Sequence, residues 1–343
     1  MAERFGTNQN AMDELIGDSS WIRSIRETVD RVAPIHVTVV VTGETGTGKE
    51  LVARRLHRMS DRSAAPFLPL NCAAIPDTLL ESELFGFERG AFTGAAYRTD
   101  GILLKARGGT VFLDEIGELS SPAQAKLLRV LEDKEVRRLG SSRAQPVDVR
   151  FIAATNRSLE SLVEEQRFRN DLLFRLNVVN IHVPPLRERP ADIPKIAEYF
   201  LQKLVERYHS PEVRLSSGAI ARLQEQVWPG NVRQLRNVIE RTFALGTSDR
   251  ITQNDLFLMH ASPLDAPLLN TSQSRPDSPM QIAHASGDPV RVEASEMNRL
   301  RQALEATCWN KTKAAQMLSW SRMTVYRKIS KYDLPSRLRF PAV

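Results

Sequence analysis

The sequence predicts an α/β protein: a parallel sheet flanked by helices, then an all-helical region, a linker and a small all-helical domain at the end. Three observations carry that prediction. Apolar, β-branched runs alternate with amphipathic stretches over residues 19–191, and strands apolar on both faces belong to parallel sheets covered by helices. A glycine-rich segment, residues 43–48, stands between one such run and a helical pattern. Beyond residue 192 the strand-like runs stop and the apolar period becomes helical.

The elements follow in order. Residues 1–18 form a short polar lead without the apolar centre of a signal peptide. Residues 19–33 read as a helix with Ser19 or Ser20 as N-cap and Ile22, Ile25, Val29 and Val32 on one face. Strands are expected at 37–42, 110–113, 149–153 and 178–183, and helices at 50–59, 122–131 and 159–165. The first domain then spans 19–191. Helices at 192–208, 217–226 and 232–244 make a helical lid over 192–259, with Pro229-Gly230 separating the last two. Residues 260–293 are rich in proline, serine, aspartate and glutamine and read as a flexible linker. Residues 294–343 form the last domain.

Hydrophobic residues make up 42% of the 343 and charged residues 26%, as in ordinary globular proteins. Cys72 and Cys308 are the only cysteines and lie far apart, which argues against a disulfide framework or a cysteine zinc site. No apolar run approaches the roughly 20 residues that cross a bilayer, so the expected location is the bacterial cytoplasm, without membrane contact. The net charge of +6 is unevenly placed. Residues 295–343 hold ten Lys/Arg against three acids, net +7, and the remainder holds 37 against 38, net −1. A compact basic tail is the electrostatic footprint of nucleic-acid binding.

Gly43-Glu44-Thr45-Gly46-Thr47-Gly48-Lys49 follows a strand and precedes a helix, the setting a phosphate-binding loop requires. Glycines let backbone N–H groups turn toward phosphate oxygens, and the helix N-terminus adds positive dipole. Lys49 reaches the β and γ phosphates. Glu50 stands where a hydroxyl ligand for Mg2+ is usual. Thr110-Val111-Phe112-Leu113-Asp114-Glu115 is an apolar strand ending in two acids. Asp114 can hold Mg2+, directly or through water, and Glu115 can polarise the attacking water. Asn156 follows the next strand, where it either senses the γ phosphate or makes a turn. Arg169 and Arg175 suit stabilisation of phosphoryl charge, or surface ion pairing.

Glu81-Ser82-Glu83-Leu84-Phe85-Gly86-Phe87-Glu88-Arg89, continued by Gly90-Ala91-Phe92-Thr93-Gly94-Ala95, resembles the signature of sigma-54-dependent transcription activators, the bacterial enhancer-binding proteins of the AAA+ class. The loop with Glu50, Pro184-Pro185-Leu186-Arg187-Glu188-Arg189 and Trp228-Pro229-Gly230-Asn231-Val232-Arg233-Gln234-Leu235 match as well. The resemblance covers residues 15–259 and 294–334. It implies an AAA+ P-loop ATPase with a helical lid, in which Gly43 to Glu50 bind ATP. It accounts for Glu50, which is usual in this family. It implies that Gly90 to Ala95 contact the sigma factor, and an exposed aromatic between glycines suits such a mobile grip. Asn71 then pairs with the catalytic Glu115, Asn156 is the first sensor and Arg233 the nucleotide-sensing lid arginine. Arg169 and Arg175 are fingers acting across a ring interface, usually of six copies. The partner is sigma-54 RNA polymerase holoenzyme.

In the tail, Asn310 caps a helix containing Lys311, Lys313, Ala314 and Ala315, small enough at the last two for a close crossing. A second helix from Ser321 turns Val325 and Ile329 inward and offers Arg322, Thr324, Tyr326, Arg327 and Lys328 outward. Two short helices with a basic second one fit helix-turn-helix geometry, as they also fit a helical dimerisation unit. The segment resembles the Fis-type domain that ends these activators, which implies dimeric binding to palindromic double-stranded DNA upstream of promoters. It departs at Trp309, where a small residue is common, and at the turn Leu318-Ser319-Trp320, where glycine and then an aliphatic residue are usual. Many members begin with a sensing domain. Here the motor starts almost at once, so control is expected from a regulator protein in trans, from expression level, or from no switch. Two other readings remain at this point: an ATPase remodelling another protein partner, and a DNA-binding regulator with a vestigial motor.

Overall fold

The computed structural model describes residues 15–246, 248–258, 289–307, 311–318, 320 and 322–332. The described residues form two compact units. One runs to Ile193 and includes Gly230–Arg233; the other holds Pro194–Pro229 and the chain from Gln234 onward.

The first unit is built on five parallel strands: β1 (Val39–Thr42), β2 (Phe67–Asn71), β3 (Thr110–Asp114), β4 (Arg150–Thr155) and β5 (Val179–His182). Their order is β2-β3-β4-β1-β5. Side chains alternate between two cores, as the two-residue strand period dictates. Val40, Val111, Leu113, Phe151 and Ala153 face one cluster with Leu84, Leu127 and Leu172. Val39, Val41, Phe112, Ile152 and Ala154 face the other with Ile25, Val29, Val52 and Leu56. Both faces are covered, which is why the strands read as uninterrupted apolar runs. Each large aliphatic side chain so buried contributes about 1.5–3 kcal/mol.

Four of the strands fall within a residue or two of their expected spans. β2 was not legible, because Phe-Leu-Pro-Leu-Asn breaks the pattern with Pro69, and the strand lies at the sheet edge, where proline is tolerated. The helix Asp77–Phe85 was also not expected. The helix Ser20–Val32 is capped by Ser19, whose Oγ accepts from Ile22 N–H at 3.2 Å. Because all five strands run the same way, their carboxyl ends gather along one edge, the usual place for a ligand site in such sheets.

The second unit carries most of the expected lid: Ile193–Tyr208, Ser217–Gln224 and Asn231–Leu245. Trp228 is buried, and its indole donates to Leu223 O at 2.8 Å. The final helices are Pro289–Ala306, Lys311–Met317 and Arg322–Lys331. Leu300, Leu304, Ala314, Ala315, Val325 and Ile329 form their own small core. The first of these helices begins ahead of residue 294, inside the expected linker. Residues 1–14 of the expected lead, 260–288 of the linker, Trp309, Asn310, Ser319 and Ser321 lie outside the described residues. Among the described residues no helix is long and apolar enough to cross a membrane.

Candidate nucleotide-binding site

The glycine-rich loop follows β1 and ends on the helix Lys49–Arg58, with Gly48 as its N-cap at φ 104°. Gly43 and Gly46 also have positive φ, and a Cβ on either would meet backbone oxygen at 2.4 or 2.5 Å (Val183 and Gly230), so only glycine fits. Lys49 is buried, and its Nζ donates to Gly43 O at 2.9 Å and Glu44 O at 3.5 Å. Thr47 Oγ1 donates to Glu44 O at 2.8 Å.

The acid pair at the end of β3 lies beside it. Glu115 Oε1 is 3.5 Å from Lys49 Nζ. Glu115 Oε2 accepts from Asn156 N–H at 3.1 Å, and Asn156 Nδ2 donates to Thr45 Oγ1 at 3.0 Å. Asn156 therefore ties the acid to the loop. Glu115 adopts a left-handed conformation, φ 52° and ψ 52°, an uncommon state for a residue with a Cβ and one that concentrates at functional sites. Burial, and then the charge of Glu115, push the Asp114 carboxyl up from its ordinary range. Cys72 behind them is kept a neutral thiol, pushed up to about 12 by burial and the two carboxylates.

One expected pairing differs. Asn71 Nδ2 reaches Asp114 Oδ2 at 3.5 Å, not Glu115, while its Oδ1 accepts from Ala73 and Ala74 N–H. Register is the reason: Asn71 and Asp114 are directly paired between β2 and β3, and the left-handed turn carries Glu115 away from that pair.

Three residues that sequence reasoning did not assign hold the loop from outside. Arg187 makes a two-pronged pair with Glu44, Nη1 to Oε2 at 2.8 Å and Nη2 to Oε1 at 2.6 Å. Asn231 Nδ2 donates to Glu44 Oε2 and to Thr45 O, both at 3.1 Å. Buried Arg189 donates to Thr47 O at 2.9 Å. Their motifs were visible, but contacts spanning so much sequence leave no local signal. Arg187 and Asn231 hold the Glu44 carboxyl down at about 2 against an ordinary 4.5. A depressed carboxylate stabilises the fold fully above its unfolded value, and that contribution fades as pH falls from about 4.5 through about 2. Acid unfolding should therefore be less steep in Glu44→Gln than in the native chain between about pH 6 and about pH 2.5. Equal acid sensitivity in thermal melts of the two would remove the pair from the account.

Residues 88–100 form an excursion from the same unit. Gly90 N–H bonds Ala95 O at 2.9 Å and closes a tight loop around Phe92 and Thr93. Gly90 and Gly94 sit at φ 83° and 103° with open space about them. Thr93 is exposed, and Phe92 is 42% exposed with its ring edge-on to Phe87 at 5.0 Å. Buried Arg138 braces both arms below, bonding Asp100 at 2.6 Å and Glu88 at 3.2 Å.

Comparison with known proteins agrees with this geometry. The sigma-54 interaction domain profile matches residues 15–182, the AAA+ ATPase lid domain residues 187–265, and the Fis-family bacterial regulatory protein residues 291–332. The chain is 44% identical over 317 residues to the transcriptional regulatory protein ZraR of Klebsiella oxytoca, covering 92% of this chain and 68% of that protein. The chain belongs to the family of sigma-54-dependent transcription activators. Members of this family are AAA+ ATPases. The chain is also 44% identical over 318 residues to the Nif-specific regulatory protein of Azotobacter vinelandii, covering 91% of this chain and 58% of that one. Among solved structures, NtrX of Brucella abortus in complex with ADP superposes with a TM-score of 0.66 at 34% identity, over 93% of this chain and 69% of that chain.

The remaining expected residues of this activator fall in two places. Arg169 caps the start of the helix Asn170–Leu176 and Arg175 lies in its last turn; Arg169 is paired with Asp171 at 2.7 Å, and Arg175 is exposed with one long bond to Leu131 O. Arg233 is exposed, and its backbone N–H reaches Gly46 O at 3.3 Å. In the Fis-type part, Lys313 is exposed, Lys311 and Thr324 are half-buried, and Arg322, Tyr326 and Arg327 lie on the last helix. Lys328 is not the outward donor expected of it. It lies on the inward stripe with Val325, Ile329 and Tyr332, and its ammonium sits 5.2 Å from the Trp320 ring centre and 5.9 Å from that of Tyr332.

Proposed function

We propose that this activator binds ATP at the Gly43–Lys49 loop, hydrolyses it between neighbouring copies in a ring, and uses the cycle to move the Phe92–Thr93 loop against sigma-54 holoenzyme at promoters. The observation that carries the reading is one compact unit holding both the loop–acid site and a braced, exposed Phe-Thr tip. NtrX was solved with ADP and with ATP, which supports an adenine nucleotide here. The Fis-type helices would hold the chain on upstream double-stranded DNA by phosphate contacts, with salt-dependent affinity. Such a role places it in the bacterial cytoplasm at the nucleoid.

Chemically, Glu115 takes the proton of the attacking water, and Asn156 fixes both that carboxylate and the loop. Lys49 neutralises phosphate charge. The residues fit a magnesium ion: Asp114 is a hard oxygen donor destabilised by burial and by Glu115, and such sites need only one or two carboxylates beside the phosphates. Asp114 would hold the ion, which supplies further charge neutralisation when bound. Asn71, bonded to Asp114 and not to Glu115, would report on the metal side of the site.

Among the described residues, neither Arg169 nor Arg175 bonds to the loop, Asp114 or Glu115, which supports a role at a neighbour's nucleotide. Arg175→Ala should then lose ATPase activity, and mixing it with Lys49→Ala should restore part of it through shared sites. No recovery at any ratio would assign the arginine to its own chain. The whole reading is tested by promoter melting. Sigma-54 holoenzyme, a supercoiled promoter template and this protein should give single-strand-specific footprints with ATP and none with a non-hydrolysable analogue. ATPase activity without melting would move the target from sigma-54 to another protein.

A further inference from the structure

The phosphate loop can offer its N–H groups to a ligand only if its carbonyls are held elsewhere. In this chain each has a donor. Lys49 takes Gly43 O; Lys49 and Thr47 Oγ1 share Glu44 O; Asn231 takes Thr45 O; Arg233 N–H takes Gly46 O; Arg189 takes Thr47 O. Three of the five loop carbonyls are thus held from two distant segments. Asn231 makes one of these contacts and two further hydrogen bonds. It is fully buried at φ 49°, a state asparagine tolerates better than most residues. Its Nδ2 donates to Glu44 Oε2 and Thr45 O, and its Oδ1 accepts from Leu186 N–H at 2.7 Å. The four residues Gly230–Arg233 belong to the nucleotide-binding unit, while the chain on both sides of them belongs to the other.

We propose that Asn231 is a positioning residue of the nucleotide site: its amide fixes the outer side of the phosphate loop to the Leu186 segment, presets the loop N–H groups for a nucleoside di- or triphosphate, and makes loop geometry part of the lid-helix start. The proposal rests on the nucleotide-site reading. The amide is required because the position needs two donors and one acceptor at once. Aspartate supplies only acceptors, so it keeps Leu186 N–H satisfied, abandons Thr45 O and sets a second carboxylate against Glu44. A preset loop binds its ligand without first ordering, and losing that order appears as affinity.

The test uses the full chain with ADP as probe. Native protein is titrated first by calorimetry, then Asn231→Asp, then Asn231→Asp with Glu44→Gln. Asn231→Asp should raise the ADP Kd about tenfold or more, as loss of charge-assisted hydrogen bonds predicts. Its nucleotide-free melting temperature should stay within a few degrees of the native one. Amide exchange of residues 44–48 without nucleotide should quicken. Glu44→Gln in the same chain should recover much of the lost affinity, because the new amide donates to the new carboxylate. Native affinity in Asn231→Asp, no recovery in the double variant, or a fall in melting temperature that accounts for the whole loss would each overturn the proposal. Failure of the native chain to bind ADP would overturn the nucleotide-site reading itself.

Discussion

Glu115→Gln is expected to abolish turnover while leaving nucleotide on the protein. Glutamine keeps the shape of the side chain, and its carbonyl oxygen can still accept from Asn156 N–H, the 3.1 Å bond that fixes Glu115. What it loses is the ability to take a proton. General-base catalysis contributes about 10²–10⁴-fold, so ATP hydrolysis should fall by that factor with little change in ATP affinity. Promoter melting should fall with it. Steady-state phosphate release and equilibrium nucleotide binding on the same preparation separate the two effects. Unchanged hydrolysis would transfer the base to Asp114, whose carboxyl is already pushed toward the neutral form by burial and by Glu115. Affinity falling as far as turnover would instead mean that the charge of Glu115 near Lys49, 3.5 Å away, organises the empty loop. The strained backbone at Glu115 favours the first outcome, since a residue held at φ 52° is placed for a directed contact rather than for packing.

Most of the architecture was legible because its signals are local. Strands buried on both faces leave unbroken apolar runs, and β1, β3, β4 and β5 each did. The phosphate loop and the acid pair are contiguous motifs at strand ends. The parts that were not legible depend on register and on distant partners. Asn71 faces Asp114 because β2 and β3 pair at those two residues, and no reading of β2 was available while Pro69 hid the strand. Glu44 is gripped from Arg187 and Asn231, well over a hundred residues away. Lys328 illustrates a different limit. Its charge suggested an outward donor, but helical spacing from Val325, and then to Tyr332, puts it on the inward stripe, where its ammonium lies against the Trp320 and Tyr332 rings. The unusual Trp320, where an aliphatic residue is usual, is one of those rings, so that departure is matched by a partner in the next helix.

Thr93→Ala is expected to separate the motor from its output. Thr93 lies at an exposed tip closed by the Gly90 N–H to Ala95 O bond, and its removal leaves the loop, Arg138 and the acid pair untouched. Among the described residues no hydrogen bond joins it to the phosphate loop or the acid pair, so ATPase activity should stay within about twofold of the native chain, the effect of an ordinary surface change. Melting of a sigma-54 promoter should be lost if the tip makes the contact, because a small tip with two exposed side chains would concentrate recognition in very few groups. Phe92→Ala should behave alike, with the added loss of its ring contact to Phe87. Arg138→Ala offers the contrast: it leaves the tip chemistry intact but removes the ion pairs to Glu88 and Asp100 that brace the arms. If the tip acts by direct grip, Thr93→Ala should also fail to bind sigma-54 in a transition-state nucleotide complex. Melting that survives both Thr93→Ala and Phe92→Ala would dissociate the exposed tip from the output and direct attention to the excursion's arms, where Tyr97 is 71% exposed.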